Sequence, residues 1–263
     1  MYGDGMKILY FTATGNSLYV AKNFDAELLS IPKLIKENVY TIEDDEIGII
    51  CPVHAYSVPR IVKEYIRKAN IKANYVFSIL TYGNQDSDSA RYMKKLLLSK
   101  GITPNYINTL LMVDSYVPLF NIKKELDHLK EKKIDQNLNK IIKDINEKKN
   151  YIKKKNFGWT IFSCFMNYIG SGFVRFLPRV FFKVDDKCIR CGTCSRVCPT
   201  KNIVQKGSKK PSFGKKCESC FACLHNCPEC AIHIKFEKSV KRFRNPNINL
   251  DEIVKSNNQT NNE

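Results

Sequence analysis

The chain has 263 residues, of which 43 are basic and 26 acidic, for a formal charge of +17. That length leaves room for a cysteine-rich module of roughly 55 residues beside one larger domain with a real core. The charge by itself excludes no partner class: an acidic protein, an anionic membrane surface, nucleic acid, and compositional drift toward Lys, Asn and Ile on a solvated surface all stay open. The opening MYGDGMKILYF lacks the basic start, apolar core and small-residue cleavage site of a signal peptide, so the expected location is the cytoplasm.

Residues 7–11 form a short apolar run, followed by TATGNS and then Leu18, Val20, Ala21 and Phe24 at helical spacing. This pattern predicts strand, loop and helix. In such a unit the loop amides and hydroxyl side chains form a cradle for an anion. Thr12, Thr14, Asn16 and Ser17 supply the side chains, and Gly15 permits the tight backbone. The Lys of GxxxxGK[ST] and the three-glycine dinucleotide fingerprint are both missing, which favours a monophosphate over a nucleoside triphosphate or NAD. The competing reading of the loop is an ordinary helix N-cap.

Residues 46–51, EIGIIC, read as a buried strand opening into a loop with His54 and Tyr56 and then a helix bearing Ile61, Val62, Tyr65 and Ile66. A third strand, 75–80, ends in TYGNQDSDSA before a helix with Tyr92, Met93, Leu96 and Leu97, and a fourth, 106–113, ends in DSYVPLF. An intermittent apolar stripe over 121–155 predicts one or two lysine-covered helices. The remaining strand belongs somewhere in 25–40.

The order of these loops resembles that of the flavodoxins, over about residues 6–150. The resemblance implies an α/β fold, a doubly wound parallel sheet, with FMN at the strand C-termini and its phosphate on Thr12, Thr14, Gly15, Asn16 and Ser17. It further implies that Tyr56 and Tyr82 pack on the isoalloxazine, with Ala55, Thr81, Gly83 and Asn84 near its edge. Against this, both tyrosines could simply cap loops, since Tyr suits a half-wet surface. His54 reads as a structural loop histidine ahead of one that tunes the flavin or donates a proton, and Cys51 as a buried apolar residue.

Residues 157–174 carry no charge, but Ser, Asn and Gly interrupt them and Arg175 and Arg179 follow. The expectation for 151–182 is an apolar connector that docks two modules, with membrane attachment through 157–182 as the lesser reading.

Two copies of CxxCxxCxxxCP follow, at Cys188, Cys191, Cys194 and Cys198 and at Cys217, Cys220, Cys223 and Cys227. In a paired pattern of this kind the fourth cysteine ligates the other cluster. One 4Fe-4S cluster would then take Cys188, Cys191, Cys194 and Cys227, and the other Cys217, Cys220, Cys223 and Cys198. Structural zinc usually shows CxxC pairs across a longer loop, and disulfides suit small secreted domains, so both fit the pattern less well. The segment 183–236 resembles the bacterial-type two-cluster ferredoxins, which makes a small α+β module. Cys230 is surplus to the pattern.

The expected domains are therefore 1–150, flavodoxin-like and FMN-binding; 151–182, connector; 183–236, two-cluster ferredoxin; and 237–263, a basic, Asn-rich tail whose composition predicts mobility. The combination resembles flavodoxin-ferredoxin fusion proteins of anaerobes. It implies electron transfer between FMN and two 4Fe-4S clusters and on to an acidic redox partner such as a ferredoxin, flavodoxin or oxidoreductase. The alternative is an FMN-dependent reductase of a quinone or disulfide fed by the clusters. No catalytic residue stands out, no signature for specific nucleic-acid binding is present, and the sequence sets no oligomeric state.

Overall fold

The computed structural model describes residues 5–54, 57–154 and 181–259. The first strand, β1 (Met6–Tyr10), leads through the TATGNS loop to α1 (Asn16–Ala21), and β2 (Glu27–Ser30) runs directly into α2 (Ile31–Glu37). Then come β3 (Thr41–Glu43), β4 (Glu46–Pro52), α3 (Arg60–Lys68), β5 (Asn70–Lys72), β6 (Tyr75–Tyr82), α4 (Ser89–Leu98) and β7 (Tyr106–Leu111). After α5 (Ile122–Asp127), a 3-10 turn (Leu129–Lys132) and α6 (Ile134–Asn146), β8 (Tyr151–Ile152) completes the main sheet.

Its order is β2-β1-β4-β6-β7-β8, parallel throughout. Counted along the chain this is 2-1-3-4-5 with one strand added at the edge, the flavodoxin order. The four strands expected from apolar runs are present, and β2 lies within 25–40 as anticipated. The sheet continues past residue 150, because β8 pairs with β7 through Tyr106 and Ile107. A two-residue strand has no periodicity to read.

Alternation along the strands divides the core between the two faces of the sheet. Ile8, Tyr10, Phe77 and Tyr106 face α1 and α6, and Leu9, Phe11, Ile47 and Ile49 face α3 and α4. Gly48 lies under the Phe77 ring, where a Cβ would sit 2.4 Å from its tip.

The cysteine-rich part holds β9 (Phe182–Val184), α7 (Thr193–Arg196), β10 (Ile203–Val204), β11 (Ser212–Phe213), α8 (Ala222–His225) and β12 (Ile232–Ile234). Its two-stranded sheets are antiparallel, β12 with β9 and β10 with β11. Its Phe182, Val197, Phe221, Leu224 and Ile232 join the same apolar cluster as Ile8 and Phe77. The two modules therefore share one core.

The expectation of a mobile tail over 237–263 is corrected for its described part. The segment ends in α9 (Leu250–Asn257), opened by a reciprocal capping box between Asn249 and Glu252. Ile253, Ser256 and Asn257 are buried, and Tyr10 Oη lies 2.9 Å from Ser256 Oγ. Polar composition misleads here because the asparagines and serines bond to the first domain, so their burial leaves few groups unsatisfied. Of the connector expected over 151–182, residues 155–180 lie outside the described residues. Among the described residues no helix is long and apolar enough to cross a membrane.

Candidate cofactor site

Where β1, β4, β6 and β7 end, their loops surround a cavity of about 330 Å³, within the size range of small-molecule sites. Thr12, Ala13, Thr14, Asn16 and Ser17 line one end, and Thr81, Tyr82, Gly83 and Asn84 line a wall. The hydroxyls of Ser17 and Thr81 meet at 2.9 Å, which ties the two loops together. Gly15 stands behind the wall with a left-handed φ of 95°, where a Cβ would come within 3.0 Å of Asn245 and Ile248. The left-handed conformation calls for glycine at that point, and a Cβ would also press on both side chains. No carboxylate belongs to the TATGNS loop, and its hydroxyl and amide donors fit a phosphate. Ala55 and Tyr56 lie outside the described residues.

Tyr82 is half-buried in the cavity wall, and the Lys153 ammonium lies 5.6 Å from its ring centroid. His54 also lines the cavity, where burial, reinforced by the charge of Lys63, brings its imidazole down to about 4 and keeps it neutral.

The fourth loop, unassigned from the sequence, contributes Val113, Asp114, Ser115, Tyr116, Leu119 and Phe120. Its signal was available, an aromatic and an acid following the fourth strand. Burial pushes the Asp114 carboxyl up to about 6, against the bond it accepts from the Tyr116 N–H at 2.8 Å. Gly83 passes so close to Asp114 that a Cβ there would lie 2.2 Å from the Asp114 Cβ. Lys132 locks the two loops together: its Nζ donates to the carbonyls of Gly83 and Met112 and pairs with Glu125 at 2.9 Å.

The cysteine-rich module borders the cavity through Glu218, Ser219, Cys220 and Phe221. No local pattern in the sequence announces this. Phe221 occupies a left-handed conformation, φ 58°, at the place where the first repeat has Gly192 at φ 73°. For a side chain other than glycine that conformation costs on the order of 1–2 kcal/mol. Its ring is buried against Tyr116 and Phe182, with centroids 5.3 and 6.0 Å away, and that packing offsets the strain. Glu218 is buried beside it, and burial raises its carboxyl to about 7 despite Arg60 and the Ile61 N–H.

The eight cysteines of the repeats form two sets. Cys188, Cys191, Cys194 and Cys227 surround one hollow, together with Ile189 and Pro228. Cys217, Cys220 and Cys223 each lie within electrostatic reach of Cys198. The fourth cysteine of each repeat thus crosses to the other set. Four thiols in each set match the donor chemistry of a 4Fe-4S cluster. Backbone N–H groups of Asn202 and Ser219 donate to Cys198 and Cys217 sulfur, both at 3.3 Å. Cys230 is exposed and belongs to neither set.

Residues 181–228 match the family described as the 4Fe-4S dicluster domain. Among solved structures, the chain is similar to the Trp repressor binding protein from Bacillus subtilis, at 12% identity over 41% of this chain and 84% of that one, with a TM-score of 0.32. The two-electron reduced Megasphaera elsdenii flavodoxin shows 15% identity over 43% of this chain and 90% of that one, TM-score 0.32. A flavodoxin from the domain Archaea shows 15% over 51% and 98%, TM-score 0.30. No curated protein matches the chain.

Proposed function

We propose that this chain, a flavodoxin-like domain joined to a 4Fe-4S dicluster domain, is an electron-transfer protein that relays electrons between FMN and two clusters and on to a separate redox partner. The observation that carries this reading is the shared cavity: Cys220 and Phe221 line the same cavity as Thr12, Ala13, Thr14, Asn16 and Ser17 and as Thr81–Asn84. FMN, when bound, supplies a carrier that exchanges one or two electrons, and 4Fe-4S clusters exchange one at a time.

In this reading Thr12, Thr14, Asn16 and Ser17 hold the phosphate, and Thr81 to Asn84 with the Asp114–Phe120 loop enclose the ring. Cys217, Cys220, Cys223 and Cys198 hold the inner cluster, whose Cys220 borders the flavin cavity. Cys188, Cys191, Cys194 and Cys227 hold the outer one, with Cys191 exposed to solvent beside the exposed Ile189 and Arg190. The partner meets that outer side. The formal charge of +17 makes an acidic redox protein the expected partner, drawn in by electrostatic steering. The cytoplasm, with its reduced thiols, is the compartment that suits such ligands.

The test is an anaerobic preparation assayed for iron, sulfide and flavin, followed by stepwise reduction under absorption spectroscopy. About eight irons and one FMN per chain, reduced in equilibrium with one another, support the relay. Eight irons without flavin after reconstitution, or a flavin that never equilibrates with the clusters, sink it.

Asp114 favours a second reading, reduction of a quinone or disulfide over the flavin. A cavity carboxyl held near 6 is close to the range that suits proton delivery at neutral pH. Turnover of such a substrate without any protein acceptor would establish it.

A further inference from the structure

The TATGNS loop is held from behind by residues that belong to neither its strand nor its helix. Asn257 Nδ2 donates to the Thr12 carbonyl at 2.9 Å and Asn226 Nδ2 to the Ala13 carbonyl at 3.2 Å. The backbone N–H of Asn245 donates to the Thr14 carbonyl at 2.8 Å. Three consecutive carbonyls thus find donors in the cysteine-rich module and the C-terminal segment. All three asparagines are buried, none more than 6% exposed.

A trans peptide points its carbonyl and the following N–H in opposite directions. Turning these three carbonyls outward therefore turns the N–H groups of Ala13, Thr14 and Gly15 the other way. The Gly15 N–H is taken by Thr12 Oγ1 at 3.1 Å, which leaves the amides of Ala13 and Thr14 for an anion. A loop with one of these peptides flipped would present a carbonyl oxygen instead and repel a phosphate. Asn226 and Asn257 each keep their own Oδ1 buried with no partner among the described residues. That arrangement is costly, and an apolar side chain of similar volume would pack there without it. What the asparagine supplies is the donor.

We infer that the side chains of Asn226 and Asn257, together with the backbone N–H of Asn245, position the phosphate loop: they fix the peptide orientation of Thr12 to Thr14 and thereby the affinity of the pocket for the phosphate end of FMN. The inference rests on the flavin reading above. It makes the flavin site composite, so that phosphate binding and docking of the C-terminal segment strengthen each other reciprocally.

The test compares FMN with riboflavin, which lacks the phosphate, by fluorescence titration of the flavin-free, cluster-loaded full chain. For Asn257→Leu the FMN dissociation constant rises roughly tenfold, the order expected for a lost buried hydrogen bond, while that of riboflavin stays within about twofold and iron content is unchanged. Equal weakening of both ligands overturns the inference, since it marks a residue that only props up the domain, and so does no change in either. If Asn257→Leu fails to fold, Asn226→Leu reaches the same loop from the cysteine-rich module and is read in the same way. A wild-type protein that binds riboflavin as tightly as FMN overturns the positioning role and leaves the flavin site standing. A wild-type protein that binds neither overturns both.

Discussion

Replacing Lys132 by Met removes the group that clamps two loops of the cavity. Its ammonium donates to the Gly83 carbonyl at 3.0 Å and the Met112 carbonyl at 2.8 Å, and its ion pair with Glu125 has side chains only 10% and 16% exposed. Glu125 in turn accepts the Asp114 N–H at 3.0 Å, so one buried carboxylate anchors the start of the fourth loop. Removing one partner of such a pair costs about 3–5 kcal/mol when burial is complete; the residual exposure here argues for the lower end, about 3 kcal/mol. The cost falls on the two loops, and native-state hydrogen exchange by mass spectrometry of peptides spanning residues 80–86 and 111–120 reads it directly. At about 1.4 kcal/mol per tenfold, exchange in Lys132→Met accelerates by roughly a hundredfold. Adding Glu125→Gln leaves no uncompensated charge and restores most of the protection, to within about tenfold of wild type. An acceleration below threefold in the single variant, or a double variant no better than the single, would refute the clamp.

Three further outcomes are expected. Burial holds the Asp114 carboxyl at about 6, above the unfolded carboxylate range near ~4. Folding therefore favours the protonated form, and its contribution is complete below that range and lost as pH rises through about 6; flavin-free Asp114→Asn should melt above wild type at pH 7.5, by at most roughly 2–3 kcal/mol of stability, and converge with it near pH ~4. Cys198→Ser should reproduce the iron loss and electron paramagnetic resonance spectrum of Cys217→Ser, and Cys227→Ser those of Cys188→Ser; pairing within each repeat would overturn the crossing. Gly48→Ala drives a Cβ into the Phe77 ring, 2.4 Å away, and should destabilise by about 1–3 kcal/mol; Phe77→Leu in the same chain recovers part of the loss, and a lone Gly48→Ala that melts like wild type would contradict the packing.

The sequence by itself determined the parts whose physics is local. A 4Fe-4S ligand set is written as spacing along the chain, so eight cysteines and their crossing could be read before any coordinate. The central strands β1, β4, β6 and β7 were equally legible, because buried parallel strands are nearly continuous apolar runs. The TATGNS loop declared itself by its glycine and hydroxyls. What only the tertiary structure decided depends on groups far apart in the chain. Asn257 bonds to a carbonyl 245 positions away, so a tail whose composition predicts mobility is folded onto a loop near the opposite end of the chain, and Asn226 of the cysteine-rich module bonds to the next carbonyl, 213 positions away. Phe221 keeps an unfavourable backbone conformation because Tyr116 and Phe182, neither near it in sequence, pack against its ring. The same holds for Cys220: its spacing marks it as a ligand, but only the packing of one module on the other places it, and not Cys191, in the wall of the cavity at the strand ends. Local patterns encode which residues are suited to a cofactor, whereas how two such sites sit relative to each other is set by a shared core that no short stretch of sequence contains.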